Sequence, residues 1–213
     1  MVADDQSSIL RAQARVNADG SPKLTGWAEL VDLVRANDLA ALTRTPAQLE
    51  EYFSWKQQVL ETYPGVEAFI LQERLHWERI DGVASTDAHT CTTLQDGRLV
   101  SSQGFQVAAP NLFQDQRDWK CLKNDFPYGF EDDITHLVVW LKHALPQDAD
   151  GVLEPDTQVQ VESFIYTHLC KNLPRERIVF FFNPPSLKSI GALEHFHVCL
   201  QGVDYREYVT SHS

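Results

Sequence analysis

Two stretches of this chain gather side chains capable of proton transfer and ion recognition. The first runs Asn183-Pro-Pro-Ser-Leu-Lys-Ser-Ile-Gly-Ala-Leu-Glu-His-Phe-His-Val198 and brings histidines, a carboxylate, a lysine and hydroxyls close together. From Glu194 to Gln201 the apolar residues alternate, which predicts a strand. Phe196, Val198 and Leu200 share one face, and His195, His197 and Cys199 share the other. Imidazole titrates near neutral pH, so this His-x-His pair offers either general bases or hydrogen-bonding groups of a pocket wall.

The second stretch is Glu131-Asp132-Asp133-Ile-Thr-His136, directly after Asn124-Asp-Phe-Pro-Tyr-Gly-Phe130. Adjacent carboxylates bind a guanidinium or ammonium group, or share a proton when crowded, and His136 adds a base. The competing reading has Asp132 or Asp133 capping a turn and His136 buried and satisfied. A metal site built from these carboxylates with His136, His195 and His197 lacks any spacing of the H-E-x-x-H kind, and no cofactor is expected. There is no G-x-S-x-G elbow, Walker loop or dinucleotide fingerprint. Ser186 and Ser189 read as turn residues of a Pro-rich loop, and Cys199 as a small hydrophobe. A histidine-triad site needs a third alternating histidine, and position 199 is cysteine.

Positioning these groups requires a core, and 213 residues with 43% hydrophobic content suffice for one. Residues 1–21 are polar and aperiodic and read as a flexible lead-in, followed by one domain over 22–213. Trp27, Leu30, Val31 and Val34 recur at helical spacing. Thr45, Pro46 and Gln48 spell a capping box for a second helix carrying Leu49, Tyr52, Phe53, Leu60 and Tyr63. A third helix covers Val66 to Leu75 and ends around His76-Trp77. Asp96-Gly97 marks a hairpin within Thr90–Val107, and Pro110–Phe130 reads as a long loop. Ile134–Lys142 and Ile178–Phe182 are nearly all apolar, which predicts two central strands covered on both faces. Between them a helix starts after Pro155 with a Thr157-x-x-Gln160 box and stops before Pro174. Trp27, Trp55, Trp77 and Trp140 read as core. The expected fold is α+β: an N-terminal helical layer on a mainly antiparallel central sheet, with a further helix between two core strands.

The formal charge of −12 repels polyanions in general, so nucleic-acid contact has to be local and DNA is not an expected partner. Lys171, Arg175 and Arg177 form the densest basic cluster, which equally suits a helix C-terminus. No apolar run is long enough to span a bilayer, and the acidic N-terminus is unlike a signal sequence, so a cytoplasmic location without membrane attachment is expected. Cys91, Cys121, Cys170 and Cys199 form no C-x-x-C pair and are expected to be reduced.

Three blocks resemble the fungal N-acetylglucosamine-induced protein family: Leu49-x-x-Tyr52-x-x-Trp55 with Arg74-Leu75-x-Trp77; Asn124 to Trp140; and Phe182 to Val198. One branch of that family is similar to arginine-containing cyclodipeptide synthases, which join arginine from arginyl-tRNA to a second aminoacyl group and release a diketopiperazine. That branch carries a DDxxE-type motif where this chain has Asp132-Asp133-Ile-Thr-His136. The resemblance implies an aminoacyl transferase. In it Asp132 and Asp133 hold the arginine, and His136, Glu194, His195 or His197 takes the attacking amine's proton. Tyr128, Glu131, Asn183, Ser186, Lys188 and Glu194 contact substrate, and Lys171, Arg175 and Arg177 dock the arginyl-tRNA. The alternative is a non-catalytic family member that binds an amino acid or sugar derivative in the same pocket.

Overall fold

A computed structural model describes residues 16–17, 19–83, 90–147, 152–188 and 190–204. Of the expected lead-in, residues 1–15 and 18 lie outside these, and so does Ser189; Val16 pairs with Pro22 across a short turn.

Helix α1 (Trp27–Arg35) presents Trp27, Leu30 and Val34 on one stripe, with Leu30 fully buried. Helix α2 (Pro46–Thr62) starts at the predicted capping box. The Thr45 side chain accepts from the Gln48 backbone, the Gln48 side chain accepts from Thr45 N–H, and Pro46 occupies the first turn. Helix α3 begins over Val66–Phe69 and widens into π-type turns over Ile70–Leu75. His76, in left-handed conformation at φ 53°, ends it. Helix α4 runs over Pro155–Phe164 and likewise widens over Ile165–Leu169. Here the predicted start needs correcting: Glu154 is the residue before the helix and Pro155 is its first residue, so Thr157 is buried in the first turn and caps nothing. Proline's fixed φ starts the helix earlier than the Thr-x-x-Gln pattern suggests.

A short hairpin pairs β1 (Thr92–Thr93) with β2 (Leu99–Val100). Gly97 supplies a positive φ of 85° at the predicted turn. The main sheet is antiparallel throughout, in the order β3 (Trp119–Lys123), β4 (Ile134–Leu141), β6 (Glu194–Gln201), β5 (Ile178–Phe181). Strand β3 lies inside the stretch expected to be loop. It is an edge strand of half-buried residues, without the apolar run that marks β4. Strand β5, expected to be central, is the opposite edge. It reads as central because it is apolar on two sides: Ile178 and Phe180 pack into the core under α4, Val179 and Phe181 into the core under α1.

The mixed α+β fold with an N-terminal helical layer matches the expectation. Leu137, Val139, Leu141, Phe196, Val198 and Leu200 face α4, with Val161, Phe164, Ile165 and Leu169 packed against them. On the other face, Ile134, Cys199 and Phe181 meet α1, while Val138 and Trp140 meet Ile70 and Leu75 of α3. That second face carries the histidines. Among the described residues no helix is long and apolar enough to cross a membrane, and all four cysteines are free.

Candidate functional site

Strand pairing places the histidines. His136 lies opposite Cys199, Val138 opposite His197, and Trp140 opposite His195. With a side-chain period of two, all six point to the face beneath the N-terminal helices. Tyr52 and Trp55 stand three residues apart on α2, and Ile70 and Arg74 four apart on α3, spacings that put each pair on one helix face. These groups, the loop Asn124–Tyr128 and the residues Arg44, Asn183 and Ile190 enclose a cavity whose floor is Val138, Trp140, His195 and His197. Its volume is about 90 Å³. A water needs roughly 10–15 Å³ on this measure, so the space suits one small organic group.

A linked chain of polar groups runs along the floor. Asn183 Nδ2 donates to the Tyr128 hydroxyl at 2.9 Å and to His197 Nε2 at 3.1 Å. His197 Nε2 is therefore the acceptor. Its Nδ1 carries the proton and donates to His136 Nε2, 2.9 Å away. Burial, with the Arg44 charge acting in the same direction, pushes His136 down to about 3. His197 is held well below the usual histidine range by burial, then by His136 and His195. Both rings are neutral at physiological pH.

His195 is 5% exposed and lies against the Trp140 ring at 4.7 Å between centroids. Its Nδ1–H donates to Leu193 O at 2.8 Å, which leaves Nε2 with the lone pair. Burial lowers its pKa, and the Leu193 bond opposes that shift. An oriented, unprotonated imidazole on the wall of a small cavity is equipped to remove a proton.

At the rim, Arg74 Nη2 contacts Asp125 Oδ1 at 2.7 Å. Arg44 donates from Nε and Nη2 to Phe126 O, at 3.1 and 2.8 Å, and its Cζ lies over the rings of Tyr52 and Tyr128. Trp55 and Phe126 pack at 4.5 Å. Two residues of the cavity wall each hold a buried polar atom without a partner among the described residues: Asn183 Oδ1 and Arg74 Nε.

The structure thus brings Tyr128, Asn183, His136, His195 and His197 together and sets the acidic block at the far end of β4 from His195. Asp132 and Asp133 are exposed and border an open depression with Lys123, Thr135 and residues 202–204. Asp133 Oδ2 accepts from Gln201 Nε2, and its backbone oxygen accepts from Gly202 N. His195 pairs with Trp140, six residues along β4 from Ile134. At about 3.3 Å per residue the aspartates lie about 20 Å away, beyond one hydrogen-bonded network. The single-pocket arrangement of aspartates and histidines is corrected accordingly. Glu131 packs against Gly26 at the start of α1, where a carboxylate suits the helix N-terminus.

Ser186 is exposed in the turn Pro185–Leu187. Lys188 and Glu194 form a partly buried ion pair at 2.7 Å, and Glu194 also accepts from Leu145 N, so both are already engaged beside His195. Arg177 donates to the carbonyls of Gln201 and Gly202. Arg175 lies over Tyr166, and Lys171 is exposed. This cluster precedes β5, whose first residue faces Leu200. Leu200 is five residues from His195, about 17 Å along the sheet, so the cluster is not at the cavity mouth.

Sequence reasoning assigned no site role to Arg44, Arg74, Asp125 or Phe126, although Arg74 and the loop with Asp125 and Phe126 fall in the family-like blocks, and it assigned Trp55 and Trp140 to the core. The i, i+3 spacing of Tyr52 and Trp55 is the one signal for an aromatic wall. Nothing local distinguishes Arg44 from any arginine preceding a helix cap.

Residues 26–201 match the family described as "Protein of unknown function (DUF3605)". The N-acetylglucosamine-induced protein 1 of Candida albicans is 26% identical over 207 residues, covering 94% of this chain and 76% of that protein. The uncharacterized protein YPL067C of Saccharomyces cerevisiae is 25% identical over 177 residues, 82% of this chain and 77% of that one. A solved structure, described as the crystal structure of HTC1, superposes with a TM-score of 0.61 at 23% identity. It covers 87% of this chain and 92% of that one, and so shares the fold. The chain belongs to the DUF3605 family, whose model spans most of its length.

Proposed function

We propose that the histidine-floored cavity is an aminoacyl site and that the protein is a tRNA-dependent cyclodipeptide synthase forming an arginine-containing diketopiperazine. The observation that carries the reading is His195: buried, neutral, fixed by Leu193 O through Nδ1, and presenting an unprotonated Nε2 at a cavity of amino-acid scale. Acyl transfer from an ester to an amine needs positioning and removal of one proton. The α-amine of one aminoacyl group attacks the ester carbonyl of the other. The C–N bond forms, the C–O bond to the tRNA breaks, and His195 passes the amine proton to the leaving ribose hydroxyl. A second, intramolecular attack of the same kind closes the ring and frees the second tRNA. The His136–His197–Asn183–Tyr128 chain holds the floor in one arrangement, so the attacking groups meet fixed partners.

In this scheme Arg44, Arg74 and Lys123, which line the cavity, are cations available to the incoming aminoacyl-tRNA end. Incubation with labelled arginine, arginyl-tRNA synthetase, total tRNA and the other amino acids tests the reading. An RNase-sensitive cyclic dipeptide supports it. Saturable amino-acid binding without product selects instead a non-catalytic binding protein.

A further inference from the structure

The guanidinium of Arg44 has an unusual set of partners. Arg35, Arg74, Arg79, Arg98 and Arg117 each contact a carboxylate. Arg44 contacts none among the described residues, although it is half-buried and lines the cavity. Among the described residues Arg175 and Arg177 also contact no carboxylate, but Arg175 is exposed to water, and three hydrogen bonds of Arg177 end on the carbonyls of Gln201 and Gly202. For Arg44 one carbonyl, Phe126 O, takes both Nε and Nη2. A cation withdrawn from water without a counter-charge is costly, and the rings of Tyr52 and Tyr128 offset only part of that cost.

We infer that Arg44 is the carboxylate-recognising group of the cavity, and that Asn183 Oδ1 receives a hydrogen-bond donor of the same ligand. Phe126 O occupies the Nε–Nη2 edge of the guanidinium, so the Nη1–Nη2 edge is the one left to a ligand. That planar fork matches the two oxygens of one carboxylate. Asn183 is 4% exposed, and among the described residues its Oδ1 has no partner although both bonds made by Nδ2 are good. A buried acceptor in this state is completed by an ammonium or amide N–H. A carboxylate and an amine on one small body describe an α-amino acid, and the rings of Tyr52, Trp55, Phe126 and Trp140 offer its side chain an apolar wall.

The inference deepens the reading above and rests on it for the cavity being a ligand site, but it does not depend on turnover. In the proposed reaction the ester carbonyl oxygen, which gains negative charge as the amine adds, takes the carboxylate's place at Arg44.

Calorimetric titration of the intact chain with L-arginine, L-leucine and L-phenylalanine, each beside its amide, tests it without tRNA. At least one acid is expected to bind at least tenfold tighter than its amide. Arg44→Lys, which keeps the charge and loses the fork, is expected to cut that preference below threefold. Inorganic phosphate is expected not to displace the acid. Equal binding of every acid and amide by the wild type overturns the inference with no variant needed. So does an acid preference that survives Arg44→Lys, and so does displacement by phosphate at lower concentration than the amino acid. Acid preference without product removes the synthase and keeps Arg44; product without acid preference does the reverse.

Discussion

His136 Nε2 and His197 Nδ1 lie 2.9 Å apart, on a diagonal across the β4–β6 pair. Cross-strand register alone makes this contact, since His136 faces Cys199 and the residue two back from Cys199 on β6 is His197. Two imidazoles at hydrogen-bond distance in a buried site cannot both be charged, so the pair fixes one proton between them and keeps the cavity floor neutral.

That neutrality has a measurable cost in acid. In the unfolded chain His136 protonates below about pH 6.5, whereas in the fold it stays neutral down to about 3. The unfolded state therefore binds more protons over this window, and stability falls as pH drops through it. His136 alone is expected to cost about 2 kcal/mol between pH 6.5 and pH 5, and His195 and His197 act in the same direction. Urea denaturation at pH 7.5 and pH 5.0 checks this; equal midpoints contradict the neutral floor.

The strand carrying His195 and His197 was legible in the sequence because its faces alternate cleanly. The second helix was legible because Thr45, Pro46 and Gln48 are unambiguous. The pocket was not. Its roof comes from Tyr52, Trp55 and Arg74, far from the histidines in sequence, and only packing brings them over the sheet. Asp132 and Asp133 misled for the complementary reason. They adjoin His136 in sequence, but β4 carries the chain away from them toward the cavity.

Burial and then the Arg44 charge lower His136, and Arg44 also lowers His197, after burial, His136 and His195. Arg44→Gln removes that repulsion, so both pKa values are expected to rise while remaining below the usual histidine value. Imidazole resonances followed by NMR through an acid titration report it, and unchanged titration in the variant would separate Arg44 from the histidine chain.

The acidic block is expected to be dispensable for chemistry in the cavity. Asp133→Asn, about 20 Å from His195 along β4, should retain at least half of the wild-type rate of dipeptide formation. Loss of most product with the fold intact would return the aspartates to the reaction.

Arg177 and Lys171 belong to one cluster in sequence but differ in work. Arg177→Ala removes the bonds to Gln201 and Gly202 and is expected to cost about 1–3 kcal/mol of stability, whereas Lys171→Ala changes little. Thermal melts distinguish them, and equal melting temperatures would argue that the Arg177 contacts contribute nothing.

General-base catalysis contributes typically about 10²–10⁴-fold. The decisive measurement is single-turnover formation of arginine-containing cyclic dipeptide from charged tRNA by wild type and by His195→Asn, with folding verified by circular dichroism. RNase-sensitive product is expected from wild type, and a rate at least about 100-fold lower from the variant. Wild-type rates in His195→Asn, or no cyclic product from the wild type with any tRNA pool, would contradict the proposed reaction.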